Sequence, residues 1–227
     1  ALFRRLPLAL DRFLDNETLL RFASRFAIRT SPKQLGDMTV SVLAGPKGKQ
    51  AKELRRLVAH LQSQGAPDVF VVTNTLLSGV AATLKEEFGR PVLCGVQGEE
   101  HFVGSLGERY RDRAQEWLRR NASSIDLFIA PSHGYVPEMA QFLNVPPDRF
   151  RVVLPGIRTH DFEWPGPRHR EPFILGYLSL ITPGKGLDLL VKAWDLLAKR
   201  GASEIRLRVA GKVADRRYWD EIRRAVT

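Results

Sequence analysis

Residues 173–190 read FILGYLSLITPGKGLDLL, and they determine what fold we predict for the second half of the chain. The run from Phe173 to Tyr177 is short and apolar, which is typical of a strand buried in a parallel sheet. Lys185 and Gly186 then open a run with apolar residues at helical spacing, namely Leu187, Leu190, Val191 and Trp194. A strand, a loop and a helix are therefore predicted. The amides at such a helix N-terminus, with the Lys185 ammonium, would attract a diphosphate, although a Gly-Lys-Gly triplet alone is usually only a turn.

The same alternation continues on both sides of this stretch. Strands are predicted at 68–73, 91–96, 126–130, 151–154 and 205–211. Helices are predicted at 78–88, 106–122, 136–143, 185–199 and 216–226. Strands that alternate with helices in this way predict βαβ units and a parallel sheet. In such sheets ligands bind beyond the carboxyl ends of the strands, which here means the loops that start at Asn74, Gln97, Ser132 and Pro155.

The predicted fold class is α/β, with two Rossmann-like parts. A helical segment over 1–65 precedes a Rossmann-like domain over 66–158, and a partial second Rossmann-like domain covers 172–227. Residues 159–171 form a linker, because the chain there is rich in Pro and Gly. Two βα units do not complete a Rossmann domain, and the chain starts without Met and stops within a helical pattern. We therefore expect a piece of a longer protein.

The N-terminal segment has apolar residues at helical spacing from Leu6 to Ile28, with Asn16 as an N-cap between two short helices. A helical hairpin that packs on the domain is the preferred interpretation. The alternative is a surface helix that contacts anionic lipid through Arg4, Arg5, Arg12, Arg21 and Arg25. The sequence does not separate these two interpretations.

Composition narrows the classes of function. The chain has 227 residues, a net charge of +10 and one cysteine, Cys94. This charge suggests an anionic partner: nucleic acid, an anionic bilayer or a phosphorylated small molecule. The basic residues are scattered, however, and no nucleic-acid-binding signature, metal-ligand spacing, Walker loop or Gly-x-Ser-x-Gly elbow is present. With no apolar run long enough for a membrane helix and no disulfide framework, we expect a cytoplasmic protein without a metal or cofactor.

Taken in order, these segments resemble family 4 glycosyltransferases, which have the GT-B fold. Residues 176–186 are similar to the family pattern Gly-Tyr-Leu-x-Arg-Ile-x-Pro-Glu-Lys-Gly, and Val209-Ala210-Gly211 matches its next strand ending. Upstream, the similar stretches are 68–74 with 76–79, 91–100, 125–132 and 151–157. The resemblance spans Val69 to Gly211, and residues 1–65 are similar to a helical insertion of some bacterial members.

The resemblance implies a nucleotide-sugar donor bound by the second domain and transfer of its sugar to an acceptor hydroxyl with retention. Lys185, with Gly184 and Gly186, would bind the donor diphosphate, but Leu180 stands where the family has Arg, and Leu cannot pair with phosphate. In the first domain Gln97 occupies the family's His position and would hydrogen-bond a substrate hydroxyl.

Other residues around the implied cleft complete the set of candidate site residues. Glu99 and Glu100, in the same loop as Gln97, either orient the acceptor or are simple loop charges. The remaining cleft residues are Asn74, Gly98, Ser132 and the hinge residue Gly156.

The implied acceptor is a carbohydrate or a lipid-linked one, in polysaccharide, glycolipid or cell-envelope synthesis, with peripheral contact to the inner face of the membrane through the N-terminal basic helices. The family's Glu-x7-Glu pair would follow Thr227, so this chain alone is expected to be inactive. Two alternatives stay open. One is a non-catalytic nucleotide-sugar-binding relative or inactive fragment, suggested by Leu180. The other is a basic nucleic-acid-binding module, suggested by charge alone, and nucleic acid is not the expected partner.

Overall fold

The computed structural model describes residues 32–160, 162, 166, 172–201 and 204–226. The chain divides into two units, and the division falls between Ile157 and Arg158. We call them unit 1 and unit 2. The helices predicted over 6–28, with their alternative lipid contact, lie outside the described residues, as does most of the predicted linker.

Unit 1 is built on a four-stranded parallel sheet in the order β1-β2-β3-β4. Its strands are β1 (Phe70–Val72), β2 (Val92–Gly95), β3 (Leu127–Ala130) and β4 (Phe150–Val152). One row of paired residues crosses the whole sheet, from Val72 through Cys94 and Phe128 to Phe150. The Phe128 and Phe150 rings in this row stack with centroids 5.0 Å apart. The predicted α/β class with a parallel sheet is therefore confirmed.

Six α-helices accompany these strands within residues 32–157. They are α1 (Pro32–Leu43), α2 (Ala51–Gln64), α3 (Ala81–Phe88), α4 (Glu99–Gly104), α5 (Glu108–Asn121) and α6 (Tyr135–Leu143). The helix predicted over 78–88 is shorter than expected, because Thr75–Val80 forms a 3-10 turn before α3. This turn contains Gly79, whose backbone lies against the end of α1.

Cys94 lies in the middle of β2 and is fully buried, as predicted for a small apolar side chain. Burial, and secondarily the negative charge of Glu99, raise the pKa of its thiol to about 12. Because the thiolate is the reactive form, we expect native Cys94 to resist a disulfide reagent such as DTNB at pH 8. The thiol should react in full once urea unfolds the chain. Fast reaction of the native protein, measured by absorbance, would contradict this burial.

Unit 2 contains two parallel strands, β5 (Ile174–Leu178) and β6 (Arg206–Ala210), and two helices, α7 (Leu187–Lys199) and α8 (Arg216–Ala225). Its small core consists of Ile181, Leu187, Val191, Tyr218 and Ile222. The prediction that this apolar run is a buried strand is wrong for β5 as the structure describes it, since its alternate side chains are exposed and Leu178 is 85% exposed. Among the described residues of unit 2, the core beside α7 and α8 covers one face of this strand pair.

None of the helices in the described parts of the chain is both long and apolar enough to cross a bilayer.

Candidate functional site

The carboxyl ends of β1 to β4 lie along one edge of the sheet, because all four strands are parallel. We call the residues there the edge cluster. Hydrogen bonds connect Thr73, Thr75, Gln97, Gly98, Glu99, Glu100 and Tyr135, and the cluster also includes Asn74, which lies between Thr73 and Thr75 in the chain. It therefore includes five of the residues predicted from the sequence. Two others, Ser132 and Gly156, are exposed, and the hydrogen bonds of the cluster do not involve them.

Glu99 holds two loops of the edge cluster together. Its side chain is 4% exposed. One carboxylate oxygen accepts the Thr75 amide at 2.9 Å, and the other accepts the Gln97 amide at 2.6 Å. Hydrogen bonds from amides to a carboxylate are stronger than those between neutral groups. This carboxylate therefore fixes the segment that follows β1 against the segment that follows β2.

The expectation that Glu99 and Glu100 lie in a loop is wrong, because both residues open the short helix α4. Gly98 precedes the helix with φ of 100°, a conformation that favours glycine, and this allows the chain to turn sharply after β2. Negative side chains in the first turn also suit the positive end of a helix.

Gln97 lies in the segment that follows β2 and is exposed. Its side-chain amide donates to the Thr73 carbonyl at 2.8 Å. A neutral amide both donates and accepts, so Gln97 can bind a hydroxyl group but cannot shuttle protons as an imidazole would.

Tyr135, at the start of α6, is a member of the edge cluster that sequence reasoning missed. Its hydroxyl donates to Glu100 Oε2 and accepts the Gly98 amide at 2.7 Å. Burial raises the pKa of Tyr135 well above its usual value, and the hydrogen bond to Glu100 adds to this shift. The only sequence signal was position, since Tyr135 follows β3 by a few residues and β3 is the neighbour of β2.

Three buried polar atoms near this edge have no hydrogen-bond partner within the described residues: Asn74 Oδ1, Thr75 Oγ1 and Glu100 Oε1. The imidazole Nε2 of the exposed His101 is 3.5 Å from Glu100 Oε1, too long for a good hydrogen bond. Buried polar atoms are normally paired with protein or water. The edge cluster thus has unused capacity to bind hydroxyl groups or water. No group of acidic, His or Cys side chains in the described ranges could hold a metal ion.

Unit 2 carries the predicted phosphate-binding segment. The helix expected from Lys185 begins two residues later, because Pro183–Lys185 forms a 3-10 turn and Gly186, with φ of 68°, leads into α7. Gly184 and Lys185 are exposed, and the Tyr177 hydroxyl donates to the Lys185 carbonyl at 3.3 Å. The Lys185 ammonium is therefore accessible to a ligand.

The first turn of α7 already has partners. The Asp188 amide donates to the Tyr218 hydroxyl at 2.9 Å, and this hydroxyl donates to Asp188 Oδ1 at 3.0 Å. The hydrogen bond from Tyr218 lowers the pKa of Asp188, so the carboxylate is anionic near neutral pH. A negative charge at a helix N-terminus reduces its attraction for a diphosphate. Leu180, in the family's Arg position, is 44% exposed and adds no compensating charge.

Comparison with known proteins identifies unit 1. A family model described as a glycosyl transferase 4-like domain matches residues 19–156, more than half of the chain. This range includes every strand and helix described in unit 1. No curated protein gives a significant match. The predicted family is thus confirmed over the part of the chain that carries the edge cluster: the chain belongs to the glycosyl transferase 4-like family and carries a glycosyltransferase-type domain.

Proposed function

We propose that this protein transfers a sugar from a nucleotide-sugar donor to an acceptor hydroxyl with retention of anomeric configuration. The observation that carries the proposal is the edge cluster, which lies within the family match and has buried oxygen atoms without partners. Unit 1 would bind the acceptor and unit 2 the donor. The acceptor would be a carbohydrate or lipid-linked molecule of polysaccharide, glycolipid or cell-envelope synthesis.

On the acceptor side, we assign hydroxyl binding to the amides of Gln97 and Asn74. Gln97 is exposed, and Asn74 has a buried oxygen without a partner within the described residues. Both oxygens of Glu99 accept backbone amides. Glu99 is therefore a positioning residue in this proposal and does not touch the substrate. Glu100 is held by Tyr135 and lies beside the same loop.

On the donor side, Lys185 would neutralise the departing diphosphate, and the glycines on either side of it leave room for phosphate to approach the backbone. The Lys185 ammonium would supply the positive charge beside the diphosphate that Leu180 cannot supply. This role depends on one accessible ammonium, which makes it directly testable.

We expect Lys185→Ala to weaken the binding of nucleoside diphosphates and their sugars about tenfold, the usual cost of losing one charged hydrogen bond. Isothermal titration calorimetry on the full chain measures this. The matched control is Lys199→Ala, which removes a lysine from the other end of α7. Lys199 pairs with Asp195 on the surface at 2.6 Å. Equal affinity for the parent and the Lys185 variant, or an equal loss in both variants, would contradict the assignment.

A second candidate is a relative that binds a nucleotide sugar without turnover. The paired Asp188 and Tyr218 at the start of α7 favour it, because they weaken the positive end of that helix. Saturable donor binding combined with no transfer and no donor hydrolysis would support this candidate, provided that the protein tested also carries the acidic pair expected after Thr227. Transfer to any added acceptor glycoside, with the product's anomeric configuration read by NMR, would exclude it.

A further inference from the structure

Unit 1 has a second polar surface, in a groove between the neighbouring helices α5 and α6. Six residues line a cavity of about 300 Å³ there: Glu100, Gln115, Arg119, Glu138, Gln141 and Phe142. We call this cavity the α5–α6 pocket. Its volume lies at the lower end of the range for small-molecule sites, about 300 to 1,000 Å³. None of its residues except Glu100 was singled out by the sequence.

Most polar groups of the α5–α6 pocket are available to a ligand. Within the described parts of the chain, the side chains of Gln115, Glu138 and Gln141 make no hydrogen bond or ion pair. Arg119 uses only its Nε, which donates to the Phe142 carbonyl at 3.1 Å, and so it keeps further N–H donors. The side chain of Glu100 is 10% exposed; its buried Oε1 lies 3.5 Å from His101 Nε2 and has no hydrogen-bond partner in these parts of the chain.

The chemistry of these residues selects one class of ligand. The lining offers two amides, two carboxylates and a guanidinium, which together provide hydrogen-bond donors and acceptors. Such a set suits a ligand with adjacent hydroxyl groups, because each hydroxyl both donates and accepts. The half-buried Phe142 offers an apolar surface to the C–H face of a sugar ring. Among the lining residues the two carboxylates outnumber the single guanidinium, so we expect the pocket to disfavour phosphate and anionic lipid although the chain carries +10 overall.

We propose that the α5–α6 pocket binds a neutral or cationic saccharide unit. Glu100 connects it to the edge cluster, because this residue lines the pocket and its other oxygen accepts the Tyr135 hydroxyl. The bound saccharide is then part of the acceptor, and only this last step rests on the proposed function. Saccharide binding itself requires neither the donor nor unit 2.

The test is a titration of the full chain with methyl glycosides of common hexoses, hexosamines and N-acetylhexosamines, followed by ligand-detected NMR. We expect at least one glycoside to bind, and Glu138→Gln and Gln141→Ala each to weaken it about tenfold. Both side chains are exposed, so neither change should prevent folding. The matched control is Glu116→Gln, an exposed residue of α5 outside the lining, which should leave the affinity unchanged. Inorganic phosphate should not compete.

Absence of glycoside binding at tens of millimolar, or binding that neither pocket variant weakens, would overturn the inference. The result is separable from the donor titration. Glycoside binding with no nucleotide binding would defeat the proposed function and leave the pocket assigned. Nucleotide binding that is lost in Lys185→Ala, without any glycoside binding, would support the proposed function and overturn the pocket assignment.

Discussion

Replacement of Gly79 by alanine is expected to lower the free energy of unfolding of unit 1 by about 3 kcal/mol or more, the upper range for overpacking a dense interior. A Cβ atom at this position would lie 2.2 Å from the Val42 carbonyl oxygen and 2.7 Å from that of Leu43. Both obstacles are backbone atoms at the end of α1, so no side-chain rotation relieves the clash. The contact is equally close when it is viewed from Gly45, because a Cβ on Gly45 would lie 2.1 Å from the Gly79 carbonyl oxygen.

The surroundings of Gly79 oppose any shift of the backbone. The side-chain amide of Asn121 donates to the Leu43 carbonyl at 2.9 Å and to the Ser78 hydroxyl at 3.1 Å, which ties α1 to the 3-10 turn. Hydrogen exchange of the amides in β2 and β3 measures the stability of unit 1 alone. The matched control is Gly104→Ala at the end of α4, where an added Cβ meets nothing within 4 Å. Unchanged exchange in Gly79→Ala would show that α1 does not contact the turn this closely.

Much of the fold could be predicted because the strands of unit 1 are short apolar runs separated by turn residues. The predicted strand at 126–130 differs from β3 by a single residue, and that at 91–96 contains β2. The 3-10 turn over Thr75–Val80 could not be predicted in this way. It depends on contact between Gly79 and the end of α1, more than thirty residues earlier, and local periodicity carries no information about such a contact.

The candidate site was predictable where its members are adjacent in sequence or, like Asn74, directly follow a predicted strand. Gln97 to Glu100 form one segment after β2, so their proximity followed from position. Tyr135 joins them because β2 and β3 are neighbours in the sheet, and strand order is not written in local sequence. Tyr218, which bonds the first turn of α7, lies thirty residues from Asp188 and was missed for the same reason.

Glu99→Gln should cost about 2 kcal/mol in local stability, the usual contribution of a hydrogen bond to a charged group. Glutamine keeps the shape of glutamate but has one carbonyl oxygen and one NH2 group. Both amides that now face Glu99, those of Thr75 and Gln97, need an acceptor. One of them would therefore face a donor inside a buried site, where an unpaired group is costly.

The consequence for function follows from this geometry. If Glu99 is a positioning residue, loss of its second acceptor frees the segment after β1 from the segment after β2, and Gln97 and Asn74 lose their fixed spacing. We expect faster hydrogen exchange at the Thr75 and Gln97 amides, weaker binding of the acceptor, and unchanged nucleotide binding by calorimetry, since Lys185 lies in unit 2. Glu86→Gln, an exposed change on α3, should alter none of these quantities. Weaker acceptor binding with both amides still protected would instead mean that the Glu99 carboxylate contacts the acceptor directly, because a purely positioning role requires the two loops to loosen before binding is affected.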